Sequence, residues 1–216
     1  MLIDFREFFK NYNVKCKGLI QVGAHWCEEH EVYVELGISD FVYIEPCRDA
    51  FKKMCEKFEV NIINDNEVDG TMVVTESAVL FNVACGEMDC ESVMYVSHNN
   101  QGQSNSLLKP NLHLVQHKEV VFNDAELVKV KQLDNLPFDN KDYNFLVMDC
   151  QGFEGNILKG ATETLKNIDY IYTEVNRDST YENNMLIDEI DELLSDFKRM
   201  ETYWPSPNWS WGLPSL

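Results

Sequence analysis

The sequence predicts a doubly wound α/β fold, a mostly parallel sheet with helices on both faces. Three observations carry that prediction. Five short runs are apolar throughout, as strands buried on both faces must be, and each is too short for a helix. Between most of them lie stretches with apolar residues at helical spacing and charges on the opposite face. The length, 216 residues of which 44% are hydrophobic, suits one domain with a sizeable core, and residues 1–216 contain no linker or repeat that would divide it.

The first apolar run, Gly18–Val22, is followed by a predicted helix over Glu28–Leu36. The second, Phe41–Ile44, precedes a helix over Arg48–Phe58. A third strand is expected at Ala78–Val83. The fourth, Phe145–Met148, feeds a helix over Phe153–Leu165, and the fifth, Tyr170–Val175, comes before one over Leu186–Phe197. Residues Cys90–Val130 break this rhythm. They are polar, hold the amide-rich run Asn99–Ser106, and offer β pieces at Ser92–Val96, Glu119–Val121 and Leu127–Val130. A segment of that length is expected to be a β-rich excursion with a loop lying over a site, rather than a structureless insert. The tail, residues 203–216, is aromatic and Pro-rich and is not expected to form a regular central strand past Pro205. Its Trp204, Trp209 and Trp211 read as cover for a sheet edge or as stacking partners for a ligand ring.

Lys and Arg number 18 against 37 Asp and Glu, a formal charge of −19. No basic cluster offsets it, so nucleic acid and anionic membranes are excluded as partners. No apolar run approaches the roughly 18 residues of a membrane span, and the N-terminus has no signal-peptide pattern. The seven cysteines are scattered and odd in number, without a zinc spacing, and read as reduced thiols of a cytoplasmic protein.

Ligands of doubly wound sheets sit beyond the carboxyl ends of the strands. Gly23 after the first strand would let a ligand approach the backbone, with helix-start N–H groups favouring an anionic group. Glu45, before Pro46 at the tip of the second strand and 22 residues after Gly23, is placed to accept both ribose hydroxyls of a nucleoside. The pattern G-x-G-x-x-G is absent, which disfavours dinucleotides. Small residues Ala84 and Cys85 follow the third strand and would admit an adenine. Asp149 and Glu174 stand at the tips of the last two strands. With Asn176 they offer hard oxygen ligands, but three separately solvated strand-end residues is the preferred reading, and no metal is assigned.

The succession V-G-A at 22–24, I-E-P at 44–46, V-A-C-G at 83–86, S-N-S-L at 104–107, Q-L-D at 132–134, M-D-C-Q-G-F-E-G at 148–155, L-K-G-A at 158–161 and T-E-V at 173–175 resembles the FkbM family of S-adenosylmethionine-dependent methyltransferases. The resemblance implies a Rossmann-like class I methyltransferase sheet of seven strands. It also implies O-methylation of a hydroxyl on a small metabolite, sugar or glycan, with S-adenosylmethionine as cofactor. By the same resemblance Gly23, Ala24 and His25 line the methionine half, Glu45 and Pro46 the ribose, Ala84 and Cys85 the adenine, and Asp149 the reactive end. The family pattern I-D-V-G-A-N-x-G appears here with Gln21, His25 and Cys27, and D-x-E-G appears with Gln151. These changes remove carboxylates and keep a rival reading open, a non-catalytic nucleoside-binding module on the same fold. For the enzyme, Asp149 is the first candidate base, with Glu174 and His25 behind it. Asp149 has the alternative of orienting the cofactor, and His25 of packing on Trp26 or capping the helix at Glu28. The insert, with His98, His113 and His117, is the candidate acceptor lid. Oligomeric state is open.

Overall fold

The computed structural model describes residues 4–60 and 68–215, without the side chains of 213–215. Met1–Ile3 of the N-terminal reading and Leu216 of the tail lie outside the described residues. The chain opens with a helix that the periodicity did not announce, α1 (Phe5–Tyr12), started by Asp4, whose carboxylate accepts from the Arg6 amide at 2.9 Å. It continues through β1 (Leu19–Val22), α2 (His30–Glu35), β2 (Phe41–Ile44), α3 (Arg48–Lys57), β3 (Met72–Val74), β4 (Ala78–Phe81), β5 (Ala84–Cys85) and β6 (Cys90–Val96). Then follow α4 (His113–Gln116), β7 (Asp124–Lys131), β8 (Phe145–Met148), α5 (Glu154–Lys159), β9 (Tyr170–Thr173), β10 (Val175–Asn176), α6 (Ile187–Leu193), β11 (Glu201–Tyr203) and β12 (Trp211–Ser215).

The main sheet runs β12-β9-β8-β1-β2-β4-β3 across its width, with β10 and β11 also paired to β12. The five strands from β9 to β4 are parallel, and β3 and β12 close the two sides antiparallel. Strand order reverses at β1, which has β2 on one side and β8 on the other, so a cleft opens at their carboxyl ends. Side chains alternate between two cores. Phe41, Tyr43, Phe145 and Val147 meet α1, α2 and α3, while Val42, Ile44, Leu146 and Met148 meet α5 and α6.

Three expectations are corrected. The tail does supply a strand: β12 pairs with β10, β9 and β11, and Pro214 sits opposite Thr202 while its neighbours carry the register. Glu119–Val121 is not a strand, because the Asn99 carboxamide takes the pairing a neighbour would have offered, donating to the Glu119 carbonyl and accepting from the Val121 amide at 3.0 Å. The third strand ends at Phe81 rather than Val83, and Ala84–Cys85, just beyond it, pair in a second sheet, β5-β7-β6. Helices α2, α3, α5 and α6 and strands β1, β2, β8 and β9 fall within the predicted ranges, α5 stopping at Gly160 rather than running to Leu165; β6 and β7 extend beyond theirs, and β3, α4 and β11 stand where no element was expected.

The aromatic face of α1 anchors one core. The Phe5 ring lies 5.1 Å from both Tyr33 and Tyr172 and 6.3 Å from Phe145, edge to face, at 2% exposure. Phe5→Ala is expected to lower stability by about 3–5 kcal/mol, a fall in midpoint of several degrees in thermal unfolding. A loss below about 1 kcal/mol would show that this helix is peripheral to the core.

Candidate active site

One cavity of about 520 Å³ opens over the carboxyl ends of β1, β2 and β8. Gly23, Ala24, His25, Glu45, Pro46, Ala84, Cys85, Asp149 and Glu174 all line it. The elements explain the convergence. Gly23 has φ 76°, and a Cβ there would lie 2.0 Å from the Asp149 carbonyl oxygen, so only glycine lets β1 and β8 end side by side. His25 and Cys27, standing where the family pattern has Asn and Gly, also occupy the left-handed region at φ 50° and 58°. Side chains there cost about 1–2 kcal/mol each.

The expectation that β1 leads straight into a helix with free amides is corrected. Helix α2 starts only at His30, and the intervening loop spends its N–H groups internally: Gly23 and Ala24 donate to the Ile44 carbonyl, His25 to Glu45, and Cys27 to Ala24. Glu45 is 6% exposed. Its Oε2 accepts from the His25 amide at 2.9 Å and its Oε1 from the Cys47 amide at 2.8 Å, which fixes the carboxylate at the cavity wall. Burial pushes its pKa up, against the pull of those amides and of His25. The Asn82 carboxamide donates to the Glu45 and Pro46 carbonyls, holding the loop from behind.

At the far wall Gln151 bridges two acids. Its Nε2 donates to Asp149 Oδ1 at 2.8 Å and to Glu174 Oε2 at 3.1 Å, while its Oε1 accepts from the Tyr181 hydroxyl at 2.8 Å. Glu174 is buried, and desolvation together with the neighbouring Asp149 and Glu154 raises its pKa well above the usual range. Glu174 and Asn176 are therefore not solvated strand-end residues as expected, and among the described residues no group of three His, Cys, Asp or Glu side chains is arranged to hold a metal.

Sequence reasoning assigned no role to Glu154, Tyr181 or the Gln101 carbonyl. Glu154 is 2% exposed, and its Oε1 accepts from the Cys150 amide at 2.7 Å, fastening the turn that carries Asp149 to Gly152. An acid in the first turn of a helix just after the glycine at 152 was the available signal. The His25 ring, stacked on Trp26 at 3.8 Å between centroids, faces Glu28 Oε1 at 2.6 Å through Nδ1 and the Gln101 carbonyl at 2.9 Å through Nε2. Several motif residues prove architectural. Asp134 accepts from the Glu163 and Thr164 amides, Ser106 donates to the Gln151 carbonyl at 2.8 Å, and Gly160 packs where a Cβ would meet the Gly86 carbonyl at 2.0 Å.

Part of the cavity lining is aromatic. Trp211 lines the cavity, stacks on Trp209 at 5.1 Å and donates from Nε1 to His117 Nε2 at 3.2 Å. His113, 4% exposed, packs against His117, Phe122 and Tyr181, and burial pulls its pKa down to about 4, so it is neutral near pH 7. Arg177 holds the tail in place, donating to the carbonyls of Ser206, Pro207 and Trp209 while its guanidinium lies 4.6 Å from the Trp204 ring centre.

Against protein-family models, residues 16–200 match the methyltransferase FkbM domain. The chain belongs to the FkbM methyltransferase family, whose cofactor is S-adenosylmethionine. The 2-O-methyltransferase NoeI of Sinorhizobium fredii (strain NBRC 101917 / NGR234) is 30% identical over 97 residues, 44% of this chain; the match spans 40% of that relative's length. An uncharacterized protein of Listeria monocytogenes serotype 4b superposes with a TM-score of 0.53 at 10% identity, over 100% of this chain and 67% of its own. A Listeria monocytogenes protein described as a candidate S-adenosylmethionine-dependent methyltransferase gives 0.51 at 7% identity, over 98% of both chains. These two show the fold.

The residues present fit that cofactor. Five acids, Glu28, Glu29, Glu45, Asp149 and Glu174, line the cavity and suit a ligand carrying sulfonium and ammonium charges, even with Glu174 protonated. The buried Gln21 side chain, also on the wall, has a carboxamide oxygen without a partner. Glu154 offers a test of the site's electrostatics, since burial raises its carboxyl to about 7. A raised acid contributes stability that is full below its unfolded value near 4.5 and lost as pH rises through about 7. Glu154→Gln keeps the acceptor and removes the charge, so the wild type should lose on the order of 3 kcal/mol relative to the variant across that window. Denaturant titrations at a series of pH values measure it, and parallel curves would contradict the assignment.

Proposed function

We propose that this FkbM methyltransferase transfers the methyl group to oxygen, on a hydroxyl of a small metabolite, sugar or glycan. The observation that carries the reading is the convergence of all nine predicted residues on one cavity that ends in an aromatic wall. The activity for which NoeI is named, 2-O-methylation, supports oxygen as the target. S-adenosylmethionine, when bound, supplies a methyl already activated by its attachment to a sulfonium. Glu45 would bind the ribose, Gly23 and Ala24 the methionine half, and Ala84 and Cys85 the adenine. The protein's remaining tasks are to align a hydroxyl, exclude water and take its proton.

Three side chains were candidates for that proton. His25 already has an acceptor at each ring nitrogen, and Glu174 holds its own proton because it is buried beside Asp149. Asp149 remains, and it is the proposed base. The acidic lining and the overall charge favour a neutral or cationic acceptor over nucleic acid. Asn100, Gln103 and Asn105 of the insert line the same cavity as Trp211 and would hydrogen-bond an acceptor's hydroxyls.

Calorimetry with S-adenosylmethionine and S-adenosylhomocysteine, followed by transfer of labelled methyl to a panel of hydroxylated sugars, tests the reading. Glu45→Ala should weaken cofactor affinity about tenfold or more, as loss of a charged hydrogen-bonding group does. Asp149→Asn should reduce turnover about a hundredfold while cofactor affinity holds. Loss of both would assign Asp149 to orienting the cofactor. Binding with no transfer to any acceptor would favour the nucleoside-binding module, for which Gln151 in place of the family's acid is the observation.

A further inference from the structure

The insert reaches the cofactor loop at a contact whose chemistry is unusual. Ser97–Ser106 turns back on itself through Gln101 and Gly102, at φ 62° and 84°, and this tip places Asn100, Gly102, Gln103, Ser104 and Asn105 on the cavity. The segment is held at several points: Asn99 bonds Glu119 and Val121, His98 pairs with Asp124, and the Tyr181 hydroxyl donates to the Ser104 carbonyl. At its far end Ser106 bonds the Gln151 carbonyl; at the tip the Gln101 carbonyl meets the His25 ring. The opposite ring nitrogen meets the Glu28 carboxylate at 2.6 Å. Both partners are acceptors, so a ring that bonds to both must carry a proton on each nitrogen.

We propose that His25 is a positioning residue whose doubly protonated ring clamps the tip of the insert onto the cofactor loop, and that loss of one proton to solvent releases the tip. It rests on the proposed function only in naming what the closed tip covers. A neutral ring has one N–H. The carboxylate claims it, since a bond to a charged acceptor is about twice as strong as one to a carbonyl. The other nitrogen then points a lone pair at the Gln101 carbonyl, and that contact becomes repulsive. Deprotonation therefore breaks the bond to the insert and spares the one within the loop.

The surroundings hold the ring cationic. Burial opposes its charge, but Glu28, the Gln101 carbonyl and Glu45 outweigh it, and the pKa is raised. From α3, Lys53 lies over the Trp26 ring at 4.0 Å, on the residue against which His25 stacks. The raised value sets the sign: the clamp is complete below the ordinary histidine value of 6.5 and lost as pH rises through the higher folded one. His98, in the same segment, pairs with Asp124 at 3.1 Å, so a variant at 25 is required as reference.

Amide hydrogen exchange of peptides covering residues 98–106, in the full chain between pH 6 and 9.5, reads the clamp directly. In the wild type, protection should fall about tenfold across the titration. His25→Asn, which tolerates the positive φ and carries no charge, should show low protection without that step. Glu28→Gln should move the step to lower pH. Affinity for S-adenosylhomocysteine should follow the same curve in the wild type and lose the step in His25→Asn. The proposal is overturned if wild type and His25→Asn share one pH profile. It is equally overturned if the His25 ring, followed by NMR, titrates below 6.5, a measurement that needs no variant to fold. If S-adenosylhomocysteine fails to bind at any pH while protection keeps its step, the proposed function fails and the clamp stands.

Discussion

The site depends on how closely β1 and β8 end. Their carboxyl termini come together at position 23, where the backbone must be left-handed and a single methylene would overlap the Asp149 carbonyl. Because the sheet reverses its order at β1, this contact lies at the one place where helices leave in opposite directions and a cleft stays open. From there the rest of the wall is assembled by short connections. The loop after β1 bonds back to the end of β2, Asn82 holds the end of β2 from behind, and Glu154 fastens the turn after β8. Each link is a hydrogen bond to a backbone amide or carbonyl, from the backbone at Gly23 and Ala24 and from a side chain at Glu45, Asn82 and Glu154.

Charge in the cavity is managed by pairing rather than by avoidance. Three acids near the floor would repel one another if all ionised, and a fourth at position 151, as in the family pattern, would add to the strain. In this chain Gln151 is there, giving one N–H to each of two acids and accepting from Tyr181. The substitution is therefore no simple loss: it puts a bridging amide where a further carboxylate would add repulsion, beside a Glu174 that burial and the neighbouring acids already push well above the usual carboxylate range. His25 and Cys27 tell a different story, since they hold backbone conformations that suit Asn and Gly better. At position 25 the strain accompanies a ring that reaches across to another element.

How much of this was legible in the sequence follows from the physics of each part. β1, β2, β8 and β9 are evident because strands buried on both faces read as nearly continuous apolar runs, and the carboxyl-end rule then leads to Gly23, Glu45 and Asp149. Helix α1 escaped notice because its three phenylalanines stand among charges, and β3 because it is three residues of largely exposed edge. β12 was discounted on account of proline, yet one missing N–H at Pro214 leaves the register of its neighbours intact. Glu119–Val121 looked like a strand because no pattern announces that a distant asparagine will take its bonds. The contact between His25 and Gln101 spans 76 residues and ends on a carbonyl oxygen, an atom every residue carries and no motif marks.

The departure of β5 from the main sheet has a mechanical meaning. Ala84 and Cys85 follow directly from β4, but they pair with β7, whose other neighbour is β6, the strand that runs into the amide-rich loop. The wall where a purine would rest and the roof over the cleft therefore belong to one small β unit. Ala84 and Cys85 on one side and the strand leading into the amide-rich loop on the other are joined through a single hydrogen-bonded ladder along β7.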